Sequence, residues 1–439
     1  MSRPIVPAAS ALALAILAAC APGKDADPPT DDAAAMNPIA EQYVRLVLAV
    51  GRHDPDYVDA YYGPPEWKAA SDSVTVPLAG IRARADSQLA ALAAIAQPAD
   101  SMAWFRRSYL THQLSALAAR VDMLGGRRLS FDEESKALYD AVAPSNSAAH
   151  FEGILGQLDS VLPGRGPVAA RYAAFRRDFV VPPAQVDTVF RTAIAACKAR
   201  TLRHMALPQG EQFTVEYVTG KTWSGYNWYQ GNAKSLIQVN TDLPIYIDRA
   251  VDLACHEGYP GHHVYNAQLE QHLVRDRGWV EYTVYPLFSP QSLIAEGSAN
   301  YGIDMAFPGG QRAAYERDSL FPLAGIDPAR AEAYYRVQGL VGRLNYAGNE
   351  AAREYLDGRI DRAAAEAWLV RYALSTPEAA AQRIRFMDQY RSYVINYNLG
   401  RDLVAAYVER VAGPDASEAR RWAVFGELLS SPRLPSDLQ

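Results

Sequence analysis

Residues 251–271 read VDLACHEGYPGHHVYNAQLEQ, and the Pro260-Gly261 pair inside them constrains the fold more than any other feature of the chain. Proline cannot continue a helical hydrogen-bond ladder and glycine tolerates a strained bulge, so a helix carrying His256 breaks before His262. His256-Glu257 opens like the HExxH helix, in which two histidines one turn apart share a metal and the Glu activates a water. Position 260 is Pro rather than His, so the plain motif fails. In an unbroken helix seven residues rise roughly 10.5 Å, too far for two side chains to share an ion at Zn–N bonds of about 2 Å. Two residues looped out at Pro260-Gly261 return His262 to the place of an i+4 histidine. On that reading His256 and His262 bind the metal, and His263 flanks the site or orients substrate. An exchange of His262 and His263 remains open at this point.

A third ligand is needed. Downstream lies Ala295-Glu296-Gly297-Ser298-Ala299-Asn300-Tyr301, a Glu followed by small residues that suit close packing of a ligand helix against the first one. Glu296 as third ligand leaves a position open for water or substrate, the mark of a catalytic rather than a structural site. Asn300, one turn along, is placed to hydrogen-bond a ligating histidine.

The stretch HEGYPGHH followed by AEGSANY resembles the bacterial domain-of-unknown-function 885 family, which carries HExxPGHH and then AEGWAxY. That family is grouped with gluzincin-type zinc metallopeptidases. The resemblance extends over most of the chain and is firmest around residues 213–305 and 390–401. It implies His256, His262 or His263, and Glu296 as ligands of one Zn2+, and Glu257 as general base. Tyr397-Asn398-Leu399-Gly400 is similar to the family's C-terminal Tyr-x-x-Gly. Tyr397 and His263 are the candidate donors to an oxyanion, with Tyr393 and Arg401 behind them. The chain departs from the family pattern at Ser298, where Trp is usual, at Asn300, where an apolar residue is usual, and in lacking the Pro-Gly-Gln before the C-terminal Tyr. Those departures bear on substrate preference more than on metal binding.

Elsewhere the pattern is mainly helical. Tyr43, Leu46, Val47 and Val50 keep helical spacing, as do Leu78, Ile81, Ala85, Leu89, Leu92 and Ile95. Ser130 with Glu133 is a capping box, and Thr376-Pro377-Glu378 orders an N-cap, an N1 proline and a first-turn acid. Residues 213–218 and 235–240 read as short strands, with an aromatic, Gly-rich run at 222–231 between them. The fold class expected is therefore mainly α with a small β-sheet or hairpin next to the HE motif, and zincin-like as the resemblance implies. In related zincins a β-edge binds substrate backbone by strand addition, a role for which residues 235–240 are placed and to which residues 226–231 could add a pocket. Trp223 and Trp228 read as packing at least as readily as substrate contacts. Glu350, Arg353 and Arg359 read as a solvated helix face.

The chain start adds location. After Arg3 comes an apolar run too short and Ala-rich for a membrane span, ending in Leu17-Ala18-Ala19-Cys20, which resembles a bacterial lipobox. Residues 1–19 are expected as signal peptide, Cys20 as the lipidated terminus, and residues 20–38, rich in Pro, Asp and Ala, as a flexible tether. Residues 39–439 then form a single large zincin-like domain, helical over 39–205 and carrying the metal site over 206–439. Ala21 after the Cys resembles outer-membrane sorting, which places the protein in the envelope facing the periplasm. Cys197 and Cys255 are expected as two buried thiols, one disulfide being the alternative. With 43 basic against 49 acidic residues and a net charge of −6, no footprint for nucleic acid is visible. The function expected is zinc-dependent hydrolysis of peptides, with a peptide or other small amide as substrate. The alternatives are an inactive zincin-fold binding lipoprotein and a zinc amidase or esterase on non-peptide substrates.

Overall fold

The computed structural model describes residues 31–439. The signal segment, Cys20 and the first part of the expected tether lie outside the described residues. The helix signals land where local chemistry puts them. Ser130 accepts from the Glu133 amide while the Glu133 carboxylate accepts from the Ser130 N–H at 2.9 Å, starting the helix Phe131–Tyr139. The Thr376 hydroxyl caps Pro377–Tyr390 by accepting from the Ala379 N–H. The helix Asn37–Val50 buries Tyr43, Leu46, Val47 and Val50, and Leu78–Ala94 buries Ile81, Ala85 and Leu92.

The tether is shorter than the sequence suggested. Asp31–Ala35 is already helical, Met36 is buried, and both pack into the same hydrophobic core that reaches Leu438. Ala33, Met36 and Ile39 form an apolar face at helical spacing that the surrounding Pro and Asp residues disguise. Arg106 fixes this start. Its guanidinium pairs with Glu281 at 2.6 Å and donates to the Ala33 carbonyl and Asn37 Oδ1 at 2.8 Å each.

The fold class is mainly α with small sheets beside the HE segment, as expected. β1 (Val58–Tyr61) pairs antiparallel with β5 (Val284–Pro286). β2 (Gln212–Val218), β3 (Gly225–Gly231) and β4 (Lys234–Asn240) form a second sheet in the order β2-β4-β3. The aromatic, Gly-rich run is thus itself a strand. It joins β4 through Asn232-Ala233, both in the left-handed region at φ 56° and 53°. β4 runs parallel to β2 and antiparallel to β3, so both its edges are hydrogen-bonded. Strand addition to residues 235–240 is therefore excluded.

Two further expectations change. Cys197 and Cys255 form a disulfide rather than two thiols, tying the helix Val186–Thr201 to the HE segment. Glu350 and Arg353 are buried against each other at 2.6 Å, with Glu350 also accepting from the Asn146 N–H and Arg353 donating to the Ala143 carbonyl. Only Arg359 of that group is solvated. No described helix is long and apolar enough to cross a membrane.

Candidate metal centre

The helix Asp248–Leu253 widens into a π-helical turn over Ala254–Gly258, the chain swings out through Tyr259-Pro260-Gly261, and a new helix runs His262–Leu269. The Gly261 N–H donates to the Cys255 carbonyl at 2.9 Å, closing the bulge on itself. A Cβ on Gly261 would collide with the Cys255 and His256 carbonyls, so only glycine lets the chain double back this tightly. The bulge carries the second histidine back beside the first.

His256 Nε2 and His262 Nε2 stand 3.1 Å apart, and Glu296 Oε2 lies 3.3 Å from the first and 3.7 Å from the second. Donors around a tetrahedral zinc at about 2.0–2.2 Å lie roughly 3.3–3.6 Å from one another. Glu296 Oε2 is buried and accepts no hydrogen bond among the described residues. A buried carboxylate oxygen without a donor, facing two imidazole nitrogens, is the arrangement a divalent cation completes. The residues fit zinc, and it is His262, not His263, that joins His256.

The surrounding groups orient this donor set. Asn300 donates to the Tyr397 carbonyl at 2.9 Å, which leaves its Oδ1 to accept from His256 Nδ1–H at 3.0 Å. His256 Nε2 thereby keeps its lone pair for the ion. Tyr393 donates to Glu296 Oε1 at 2.7 Å and so frees Oε2 for the ligand role. Burial opposes ionisation of Glu296, yet the His262 and His256 rings hold its carboxyl below the usual range. Helix Pro290–Ala306, which carries Glu296 and Asn300, meets helix Ile395–Ala412 at Gly297 and Gly400. A Cβ on Gly400 would stand 2.7 Å from the Leu293 carbonyl oxygen. Gly297 therefore serves contact with the C-terminal helix, while the same helix also packs on the HE segment as expected, through Asn300 on His256 and Gly302 on Pro260.

Glu257 is buried beside the ligands, and its carboxylate lies within 4.8 Å of the His256 and His262 donor atoms. Its carboxylate fills the space a side chain at Gly225 would need, and its carbonyl accepts from Asn227 at 2.7 Å, so β3 forms its wall. Burial lifts the Glu257 carboxyl to about 7, with Glu296 and Asp59 pushing the same way and His262 and Arg249 opposing. Asp59, on β1, faces the same cleft, and burial lifts its carboxyl to about 7 as well. Nothing in the local sequence around Asp59 announces this role.

His263 does not reach the centre. It is fully buried with Nδ1 hydrogen-bonded to Ser235 Oγ at 2.9 Å and Nε2–H donating to Glu211 at 3.0 Å. Glu211 also takes Lys198 at 2.6 Å and the Tyr259 hydroxyl at 2.6 Å. Both ring nitrogens of His263 are thus spent on the scaffold behind the bulge, which corrects its assignment as an oxyanion donor. Tyr397 lies in the cleft, its ring 5.8 Å from that of Tyr393 and its hydroxyl unbonded among the described residues. Arg401 points outward into pairs with Asp304 and Asp402. Trp228 is exposed on β3, and Trp223 packs on Tyr226.

No family model and no curated protein matches this chain. Among solved structures it is similar to a protein from Colwellia psychrerythraea described as a lipoprotein, at TM-score 0.51 and 16% identity over 84% of this chain and 70% of that one. A protein from Shewanella oneidensis described as a lipoprotein of unknown function aligns at TM-score 0.44 and 14% identity, over 85% and 75%. An M32 carboxypeptidase from Deinococcus radiodurans aligns at TM-score 0.37 and 16% identity, over 92% and 93%. At such identities the Colwellia structure speaks to the fold alone.

Proposed function

We propose that the chain is a zinc-dependent hydrolase that cleaves peptide amide bonds and belongs with the domain-of-unknown-function 885 proteins its motifs resemble. The observation that carries this reading is the convergence of His256 Nε2, His262 Nε2 and unpartnered Glu296 Oε2 beside a buried Glu257. A zinc ion held by those three donors supplies Lewis acidity toward the scissile carbonyl. Glu257 takes the proton from the attacking water and passes it to the leaving amine. Tyr397 presents its free hydroxyl to the oxyanion that develops on the substrate. Asn300 and Tyr393 hold the ligands in register, and Gly225 makes the room in which Glu257 works.

The lipobox-like segment and the lipoprotein description of the Colwellia structure support carriage on lipid at Cys20, in the envelope and facing the periplasm. The test pairs metal analysis of the purified protein with hydrolysis of a mixed peptide pool. About one zinc per chain, with cleavage lost on the order of 10²–10⁴-fold in Glu257→Gln while zinc is retained, is the expected result. Metal-free protein with no turnover would sink the hydrolase. Zinc with turnover of esters or non-peptide amides, the pool staying intact, would move the substrate class instead.

A further inference from the structure

We propose that Arg383 anchors a free carboxylate at the C-terminal end of the substrate, so that the enzyme removes short C-terminal pieces rather than cutting within long chains. The proposal rests on the hydrolase reading and deepens it. Arg383 projects from the helix Pro377–Tyr390, which together with the turn Arg391–Val394 and the start of Ile395–Ala412 builds an aromatic wall of Phe386, Tyr390, Tyr393 and Tyr397 beside the metal ligands. Its guanidinium lies 4.9 Å from the Phe386 ring centre and 5.8 Å from that of Tyr397. It makes no hydrogen bond and no ion pair among the described residues, although it is half-buried.

Arg176 shares this state, lying on the Tyr172 and Tyr246 rings with no hydrogen bond or ion pair among the described residues, whereas several other arginines withdrawn from water are paired with an acid. Arg106 is met by Glu281, Arg353 by Glu350, and Arg391 by Glu134. A guanidinium has five N–H donors in a planar fork, and taking it from water without an acceptor is costly. Burial accordingly depresses the proton affinity of Arg383, and Tyr397 is the one ionisable neighbour that counteracts this. The fork matches a carboxylate bidentately, and the rings on which it lies fix its plane.

The position selects which carboxylate. Tyr397 is the link. Two steps of 5.8 Å, from the Arg383 guanidinium to the Tyr397 ring and from that ring to the Tyr393 ring, lead to the tyrosine whose hydroxyl donates to Glu296. An extended peptide advances roughly 3.3–3.6 Å per residue. A carboxylate on Arg383 thus lies within a few residues of the carbonyl under attack, as a chain terminus does.

The experiment uses three matched peptides with the lipoprotein in detergent: one with a free C-terminus, one with a C-terminal amide, and one amidated but bearing Glu near its end. The expected wild-type preference in kcat/KM for the free acid over the plain amide is on the order of 100-fold. It is expressed chiefly in KM, collapses toward unity in Arg383→Gln and is partly restored in Arg383→Lys. The Glu257→Gln protein, titrated with the same peptides, should show the same preference in Kd without turnover. Equal cleavage of acid and amide, or a preference that survives Arg383→Gln in a protein of unchanged Tm, overturns the anchor and leaves the hydrolase standing. An Arg383-dependent preference for the Glu-bearing amide over the free acid overturns it in favour of a side-chain carboxylate. Absence of cleavage of all three, with no zinc bound, overturns the hydrolase itself.

Discussion

Two adjacent histidines in this chain have opposite occupations. His262 turns Nε2 toward His256 and Glu296, while His263 turns both nitrogens toward Ser235 and Glu211. Their alanine variants should separate cleanly. His262→Ala should lose bound zinc by metal analysis, whereas His263→Ala should retain a stoichiometric ion and lower Tm. Zinc lost only from the second variant would reverse the ligand assignment. Glu211 adds a pH signature. Burial pushes its carboxyl up, but hydrogen bonds from His263, Lys198 and Tyr259 outweigh this and hold it at about 2 against an ordinary 4.5. On acidification the unfolded chain binds this proton first, so the contribution is complete above pH 4.5 and is lost as pH falls toward 2. Urea midpoints should therefore drop over that window in the wild type, and more shallowly in Glu211→Gln. Parallel slopes would remove Glu211 from the account.

At the scale of the element, the bulge at Tyr259-Pro260-Gly261 decides whether a metal site exists. Gly261→Ala sets a methyl group against the Cys255 and His256 carbonyls and must displace the backbone that aims His256. We expect zinc affinity to fall by at least 10-fold in a competition with a chelating dye, within the range known for mis-set ligand supports. Unchanged affinity would mean that the carbonyls yield. This element was readable in sequence because its cause is local: Pro-Gly breaks a helix wherever it stands. The capping helices at Ser130 and Thr376 were readable for the same reason. The function of His263 was not, since Glu211 lies 52 positions away and reaches it only through the fold. Nor was the central place of β4, because alternation along a strand says nothing of its neighbours. The small residues after Glu296 were recognised as close packing, but the partner of Gly297, Gly400, is settled only by the docking of the C-terminal helix.

Across the whole molecule, one buried ion pair joins the beginning of the described chain to the half that carries the candidate metal centre. Arg106 and Glu281 are both withdrawn from water, and Arg106 also holds residues 33 and 37. Removing one member leaves an uncompensated buried charge, at a cost of about 3–5 kcal/mol. Arg106→Met should thus lower unfolding free energy in urea by that amount, and Arg106→Met/Glu281→Met should recover much of it. A single variant as stable as the wild type would show that the pair is not withdrawn from solvent. Burial of this kind also explains why composition misplaced the start of the body. Acidic and proline-rich residues dominate that stretch, yet Ala33 and Met36 suffice to dock it.

The Cys197–Cys255 disulfide sits one residue before the first histidine ligand and closes a separation of 58 residues, which in a chain-entropy account contributes about 4 kcal/mol. It therefore imposes an order of events. While the thiols are reduced, the segment bearing His256 is untied from its supporting helix, and weaker zinc binding by the reduced protein, read in a competition with a chelating dye, is the expected outcome. Oxidation sets the segment and metal capture follows. If the chain is a zinc hydrolase that travels to the envelope, both as proposed, hydrolytic competence arrives only after translocation, and the cytoplasm is spared its activity.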